Sequence, residues 1–137
     1  MSYAGDVTPE QAWNMLEDNP EAVLVDCRTD AEWRFVGVAD LSRLGREVVY
    51  IEWNGSDGRR NENFVDDLTS AGVTPGDRPV IFLCRSGNRS IGAAEAATAA
   101  GIAPSYNVLD GFEGNLDQNH HRGSTGWRAV GLPWKQS

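Results

Sequence analysis

Residues 84–90 read Cys-Arg-Ser-Gly-Asn-Arg-Ser, between the apolar run Val80-Ile81-Phe82-Leu83 and an alanine-rich stretch. A cysteine so placed could serve as a nucleophile. A free thiol with a pKa near ~8.5 is only a few per cent ionised at neutral pH, so its anion must be stabilised before it reacts well. Three features here serve that end. The amides of a tight loop can converge on one point, a helix opening near Ser90 adds unpaired N–H groups and the positive end of its dipole, and Arg85 and Arg89 add charge. Ser86 and Ser90 bring hydroxyl donors. Gly87 permits a positive φ or a close approach to a ligand, and Asn88 is the next most tolerant residue for that conformation. Residues 85–90 together describe an anion cradle at Cys84.

Cys27 lacks such a loop and reads as a packing residue. Two cysteines cannot make a disulfide framework and fall short of the ligands of a structural zinc site. His120 and His121, adjacent in a polar segment, read as solvated loop residues, so no metal is expected. The formal charge is −8 and Lys135 is the only lysine, which argues against a nucleic-acid partner. The opening "MSYAGDVTPE" has neither a basic stretch nor an apolar run of signal-peptide length, and no later segment approaches the ~20 apolar residues of a membrane span. The expectation is a cytoplasmic protein with no membrane partner.

The elements that must hold Cys84 follow from pattern. The 137 residues, 40% of them hydrophobic, fit a single domain over 1–137. Thr8-Pro9-Glu10-Gln11 has the form of a capping box with proline at the first helical position, and predicts a helix over about 9–17. Asn19-Pro20 marks a turn, and the apolar run 22–25 predicts a strand ending at Asp26. Thr29 caps a short helix over 30–35, and "EVVYIEW" predicts the next strand, with a loop-like "VGVADLSRLG" between them. Phe64, Leu68 and Ala71 fall at helical spacing, with Gly72 as the cap. "DRPVIFLC" and "SYNVLD" predict two further strands, and the pattern then fades into "DGFEGNLDQNHHRGSTG". Uniformly apolar strands alternating with helices imply an α/β fold with a parallel sheet covered on both faces.

Ligands of such sheets bind beyond the carboxyl ends of the strands. Three strand ends are therefore candidates for the site: Asp26-Cys27-Arg28, Glu52-Trp53-Asn54, and Cys84 with its loop. Trp53 and Asn54 are candidate wall residues.

"CRSGNRS" resembles the active-site loop of rhodanese-like sulfurtransferases. "LVDCRTDAEW", residues 24–33, resembles the family's strand-end Asp-x-Arg followed by a short acidic helix, and "NVLDGFEG" with "GWRAVGLPW" resembles the end of a single-domain member. The likeness implies a central parallel sheet of about five strands between helices. It also implies a reaction in which Cys84 takes the sulfane sulfur of thiosulfate, or of another small donor, and hands it to cyanide or another thiophilic acceptor. No cofactor is expected. The acceptor in the cell would be a small thiol or a protein of thioredoxin-like or sulfur-accepting kind.

On that resemblance Cys84 is the catalytic residue, and Arg85, Ser86, Gly87, Asn88, Arg89 and Ser90 bind the donor and the transferred sulfur. Asp26 and Arg28 support the neighbouring loops. Arg85 is best placed at the rim, while Arg89 either closes the cradle or turns away to pair with an acid. Many members carry a Gly-His-Ile-Pro-Gly-Ala type segment after the acidic helix, where this chain reads "FVGVADLSRLG".

Two competing classes remain. A cysteine phosphatase or arsenate reductase resembles Cys-x-x-x-x-x-Arg, but only four residues separate Cys84 from Arg89. One residue fewer removes up to ~3.5 Å of contour from a loop that must encircle a tetrahedral ligand. The other class is a non-enzymatic sulfur-carrier or regulatory module; the presence of both cysteine and cradle argues against an inactive one.

Overall fold

In the computed structural model, which describes residues 2–55 and 57–136, five parallel strands form the central sheet. They are β1 (Gly5–Val7), β2 (Val23–Asp26), β4 (Val49–Tyr50), β5 (Gly76–Leu83) and β6 (Ile102–Val108), in the order β1-β6-β5-β2-β4. A second pair, β3 (Val38–Ala39) with β7 (Trp134–Lys135), is antiparallel. The helices are α1 (Pro9–Asp18), α2 (Asp30–Phe35), α3 (Phe64–Ser70) and α4 (Arg89–Ala99), with a 3-10 turn at Ser42–Leu44.

Both expected capping boxes form. Thr8 Oγ1 accepts from the Gln11 amide at 3.1 Å while Gln11 Oε1 accepts from the Thr8 amide at 2.9 Å, and Thr29 with Glu32 does the same at the start of α2. The sheet is buried on both sides, as continuous apolar strands require. Ala12 and Leu16 of α1 pack with Leu24, Ile81, Leu83 and Val108 on one face. Phe64 and Leu68 of α3, with Ala93, Ala94 and Ala97 of α4, pack with Val25, Val80 and Phe82 on the other. The alanines hold α4 close to the sheet; the contact is a rigid seat for its N-terminus.

Several boundaries differ from the expectations, each for a physical reason. Strand β1 lies in a polar N-terminal stretch; its register against Tyr106, Asn107 and Val108 is a tertiary pairing that no local period announces. Strand β4 is two residues long; beyond Tyr50 the Ile51 and Trp53 amides donate singly to Asp26 O and Cys27 O at the end of β2. Strand β6 opens at Ile102, before Ser105. Ala71 caps α3 and is exposed. The polar segment after Val108 contributes Phe112 and Trp127 to the core, both fully buried, between turns that carry no period of their own.

Candidate active site

β5 is the middle strand, and Cys84 is the residue that follows it. The three suspected strand ends are knitted side by side. The Cys27 amide donates to Leu83 O at 2.9 Å and the Trp53 amide to Cys27 O at 3.1 Å, so the ends of β5, β2 and β4 form one edge. Beneath it, the Phe112 amide donates to Cys84 O at 2.8 Å and the Glu113 amide to Arg85 O at 2.9 Å. Gly111 is required at that crossing. A Cβ there would stand 2.3 Å from Cys84 O, and its φ of +57° is left-handed.

Cys84 is buried, and three groups converge on its sulfur. The Gly87 amide lies 3.2 Å from Sγ, the Ser90 amide 3.3 Å, and the Ser90 hydroxyl 3.1 Å. The two amides point donors at one atom from the open turn and from the first turn of α4, where the helix dipole is positive. This arrangement solvates negative charge on a sulfur. Gly87 makes the turn possible, with φ +93° and its Cα face against Val108 O and the Asp110 amide. Asn88 keeps an ordinary φ of −95°, so the expected need for its conformational tolerance does not arise.

The remaining cradle residues separate into distinct positions. Helix α4 begins at Arg89, one residue before the expected opening. Asn88 is exposed and its side-chain amide donates to Ser86 Oγ at 3.4 Å, so among the described contacts neither residue's side chain reaches Cys84. Arg85 is exposed. The Arg89 guanidinium forks onto the Glu32 carboxylate at 2.8 and 2.9 Å, which answers the open question of its direction: it pairs with an acid. Burial alone would push the Glu32 carboxyl up, but the Arg89 hydrogen bond and the bond from the Thr29 amide outweigh it and bring it down to about 2.

Ser90 has a partner that the sequence did not signal. Its hydroxyl donates in a short hydrogen bond to Asn107 Oδ1, and Asn107 Nδ2 donates to Asp6 Oδ1 at 3.0 Å. Ser90 and Asn107 are both fully buried. With its one proton directed to Asn107, Ser90 Oγ is left as the acceptor for the neutral Cys84 thiol; when the sulfur is ionised, that proton is the one that must turn toward it. Asn107 was legible only as a polar residue inside an apolar strand.

Asp26 and Arg28 form a fully buried pair, with Nη2 to Oδ2 at 2.7 Å, and Arg28 Nη2 also donates to Gly37 O at 2.8 Å. The guanidinium lies 4.4 Å over the Phe112 ring. The pair ties the end of β2 to the loop after α2 and to the segment beneath Cys84. Trp53 packs edge-on to Phe64 and stands against Gly92 of α4, so it walls the helix more than the sulfur. Asn54 donates to Gly58 O within its own loop. His120 and His121 are exposed around a turn organised by Asp117. Among the described residues no group of three or more His, Cys, Asp or Glu is placed to hold a metal, and no helix is long and apolar enough to cross a membrane.

The family STR4 middle domain matches residues 4–137. The crystal structure of Rv0390 from M. tuberculosis superposes with a TM-score of 0.92 at 71% identity, covering 99% of this chain and 100% of that one. Thiosulfate sulfurtransferase GlpE of Glaesserella parasuis is 31% identical over 109 residues, 80% of this chain and 83% of its own length. A rhodanese-like domain protein from Staphylococcus aureus, 23% identical, shares the fold with a TM-score of 0.58 over 78% of this chain and 86% of that one. Sequence, fold and comparisons agree, and the chain belongs to the rhodanese-like family, in the group of the STR4 middle domain.

Proposed function

We propose that the protein is a sulfurtransferase working through a persulfide on Cys84. The observation that carries this reading is the convergence of the Gly87 and Ser90 amides and the Ser90 hydroxyl on Cys84 Sγ. The Cys84 thiolate attacks the outer sulfur of thiosulfate, a new S–S bond forms, and the old one breaks with its electron pair leaving on sulfite. The terminal sulfur of the persulfide then carries the negative charge. Because it extends past Cys84 Sγ, it meets whatever donors the mouth of the loop presents, and the amides from Ser86 to Ser90 are the candidates. Cyanide or a thiol takes that sulfur, and the Cys84 thiolate returns.

Arg85 supplies the charge for the donor. Its side chain is exposed, and a guanidinium can fork two N–H donors onto two oxygens of the departing sulfite. Arg89 acts differently: held on Glu32, it fastens the opening turn of α4 to α2. A phosphate-binding reading is less favoured, because the arginine at the end of the short loop is already occupied by a carboxylate. No metal or organic cofactor enters the reaction. We assign the protein to a reducing, cytoplasmic setting, which suits two free cysteines.

The assay is thiocyanate formation from thiosulfate and cyanide. The wild-type chain is expected to turn over and Cys84→Ser to be inactive; thiocyanate formed equally by both would remove Cys84 from the reaction.

A further inference from the structure

The second cysteine has no part in this chemistry, yet the sheet places it beside the first. Strands β2 and β5 run parallel with Val25 opposite Phe82 and Asp26 opposite Leu83. The ladder continues one step further. In a parallel pair an amide donates to the carbonyl preceding its partner, so the bond from the Cys27 amide to Leu83 O makes Cys84 the partner of Cys27. Neighbouring strands lie about 4.8 Å apart. That separation falls inside the roughly 4.4–6.8 Å of Cα spacing over which disulfides form.

The two side chains also share a face. Cys27 and Cys84 both pack among Val25, Phe82, Ala93 and Ala94, on the side of the sheet covered by α4. The Cys27 thiol donates to Leu83 O at 3.4 Å, the carbonyl of the residue joined to Cys84.

Resting on the sulfurtransferase reading above, we propose that Cys27 is a resolving thiol: when no acceptor arrives, it displaces the transferred sulfur from Cys84 as hydrosulfide and closes a Cys27–Cys84 disulfide. Cys27 sulfur attacks the Cys84 Sγ of the persulfide. The new bond joins the two cysteine sulfurs, the bond to the terminal sulfur breaks, and that sulfur leaves with the electron pair. It takes up the Cys27 proton and departs as HS⁻. The two cysteine sulfurs are oxidised and the sulfane sulfur is reduced, with no outside oxidant. A dithiol reductant of thioredoxin-like class reopens the bridge by exchange. Burial, and next the nearby Cys84 sulfur, hold the Cys27 thiol well up. Its attack is therefore slow, and a competent acceptor at the mouth takes the sulfur first.

The experiment has two arms, each read by intact mass on wild type, Cys27→Ser and Cys27→Ala, the alanine variant leaving no buried hydroxyl should serine impair folding. In the first, an aromatic disulfide reagent is added in small excess to the native chain. The wild type is expected to release both aryl thiolates and to end lighter than the reduced chain by two hydrogen atoms; the Cys27 variants release one and keep the adduct on Cys84. A wild-type adduct as lasting as that of the variants overturns the resolving role. In the second arm, thiosulfate is added without acceptor. The wild type is expected to lose its added sulfur with release of hydrosulfide and the same loss of two hydrogens, while the variants retain it; wild-type sulfur that persists as in the variants overturns the hydrosulfide step. If the first arm gives the bridge and the second adds no sulfur to any chain, the sulfurtransferase reading falls and the hydrosulfide step with it, while the paired thiols stand.

Discussion

Arg89 and Glu32 meet end to end, guanidinium Nη1 on Oε1 at 2.8 Å and Nη2 on Oε2 at 2.9 Å, and this fork fastens the first turn of α4 to α2. The pair is mostly shielded, with 26% and 18% of the two side chains exposed. Because Glu32 is held down at about 2, its contribution to stability is fully present above the pH at which a free carboxyl ionises and is lost as pH falls from there toward 2. Discounted for the remaining solvent contact, the pair contributes about 1–2 kcal/mol. Urea unfolding should therefore show Glu32→Gln less stable than wild type by that amount at pH 7. The gap should narrow between about pH 4 and pH 2.5; a gap that does not change with pH would assign it to packing.

The buried Asp26 and Arg28 should behave more severely. Removing one partner strands a charge from which water is wholly excluded, at a cost of about 3–5 kcal/mol. Arg28→Met is expected to lower the urea midpoint sharply, and Arg28→Met with Asp26→Leu to recover part of the loss. A double variant no better than the single would mean that the bond to Gly37 O and the contact with Phe112, not the unpaired carboxylate, carry the effect.

Asn107 Oδ1 and the Cys84 sulfur compete for the one proton of the Ser90 hydroxyl. Ser90→Ala keeps both amides on Cys84 and loses only the hydroxyl, so Cys84 should alkylate about tenfold more slowly near neutral pH, the equivalent of one hydrogen bond. Asn107→Ala frees the Ser90 hydroxyl for the sulfur, so Cys84 should alkylate faster near neutral pH; an unchanged rate would show that Asn107 only fills space.

The Arg85 side chain is exposed, and among the described residues no side-chain hydrogen bond or ion pair holds it, so Arg85→Ala, which keeps the backbone bond from Glu113, should leave the unfolding midpoint unchanged. The thiosulfate KM should rise by about tenfold for one lost charge-assisted contact, more than kcat falls. Unchanged kinetics would remove Arg85 from donor binding.

What the sequence made legible was local. The capping boxes at Thr8 and Thr29, the apolar strand ending at Asp26, and the glycine of the loop each announce themselves within a few residues, and each lies where it was expected; the strand read as ending on Cys84 stops one residue earlier, at Leu83. Tertiary partners were not legible. Glu32 could be read as part of an acidic helix, but its pairing with Arg89 depends on the chain folding back across a separation of 57 positions. Asn107 meets Ser90 only because β6 lies beside β5, and Gly111 is required only because the turn after β6 passes beneath Cys84. Phe112 and Trp127 were hidden for a related reason: isolated aromatics in a polar, turn-rich segment enter a core without making a period.

Persulfide formation on Cys84 is tested most directly by intact mass after brief thiosulfate treatment in the absence of acceptor. The wild-type chain should gain the mass of one sulfur atom, mapped to the peptide containing Cys84, and Cys84→Ser should gain nothing. A wild-type chain of unchanged mass, even at the earliest times, or a Cys84→Ser chain that gains the same sulfur, would contradict it.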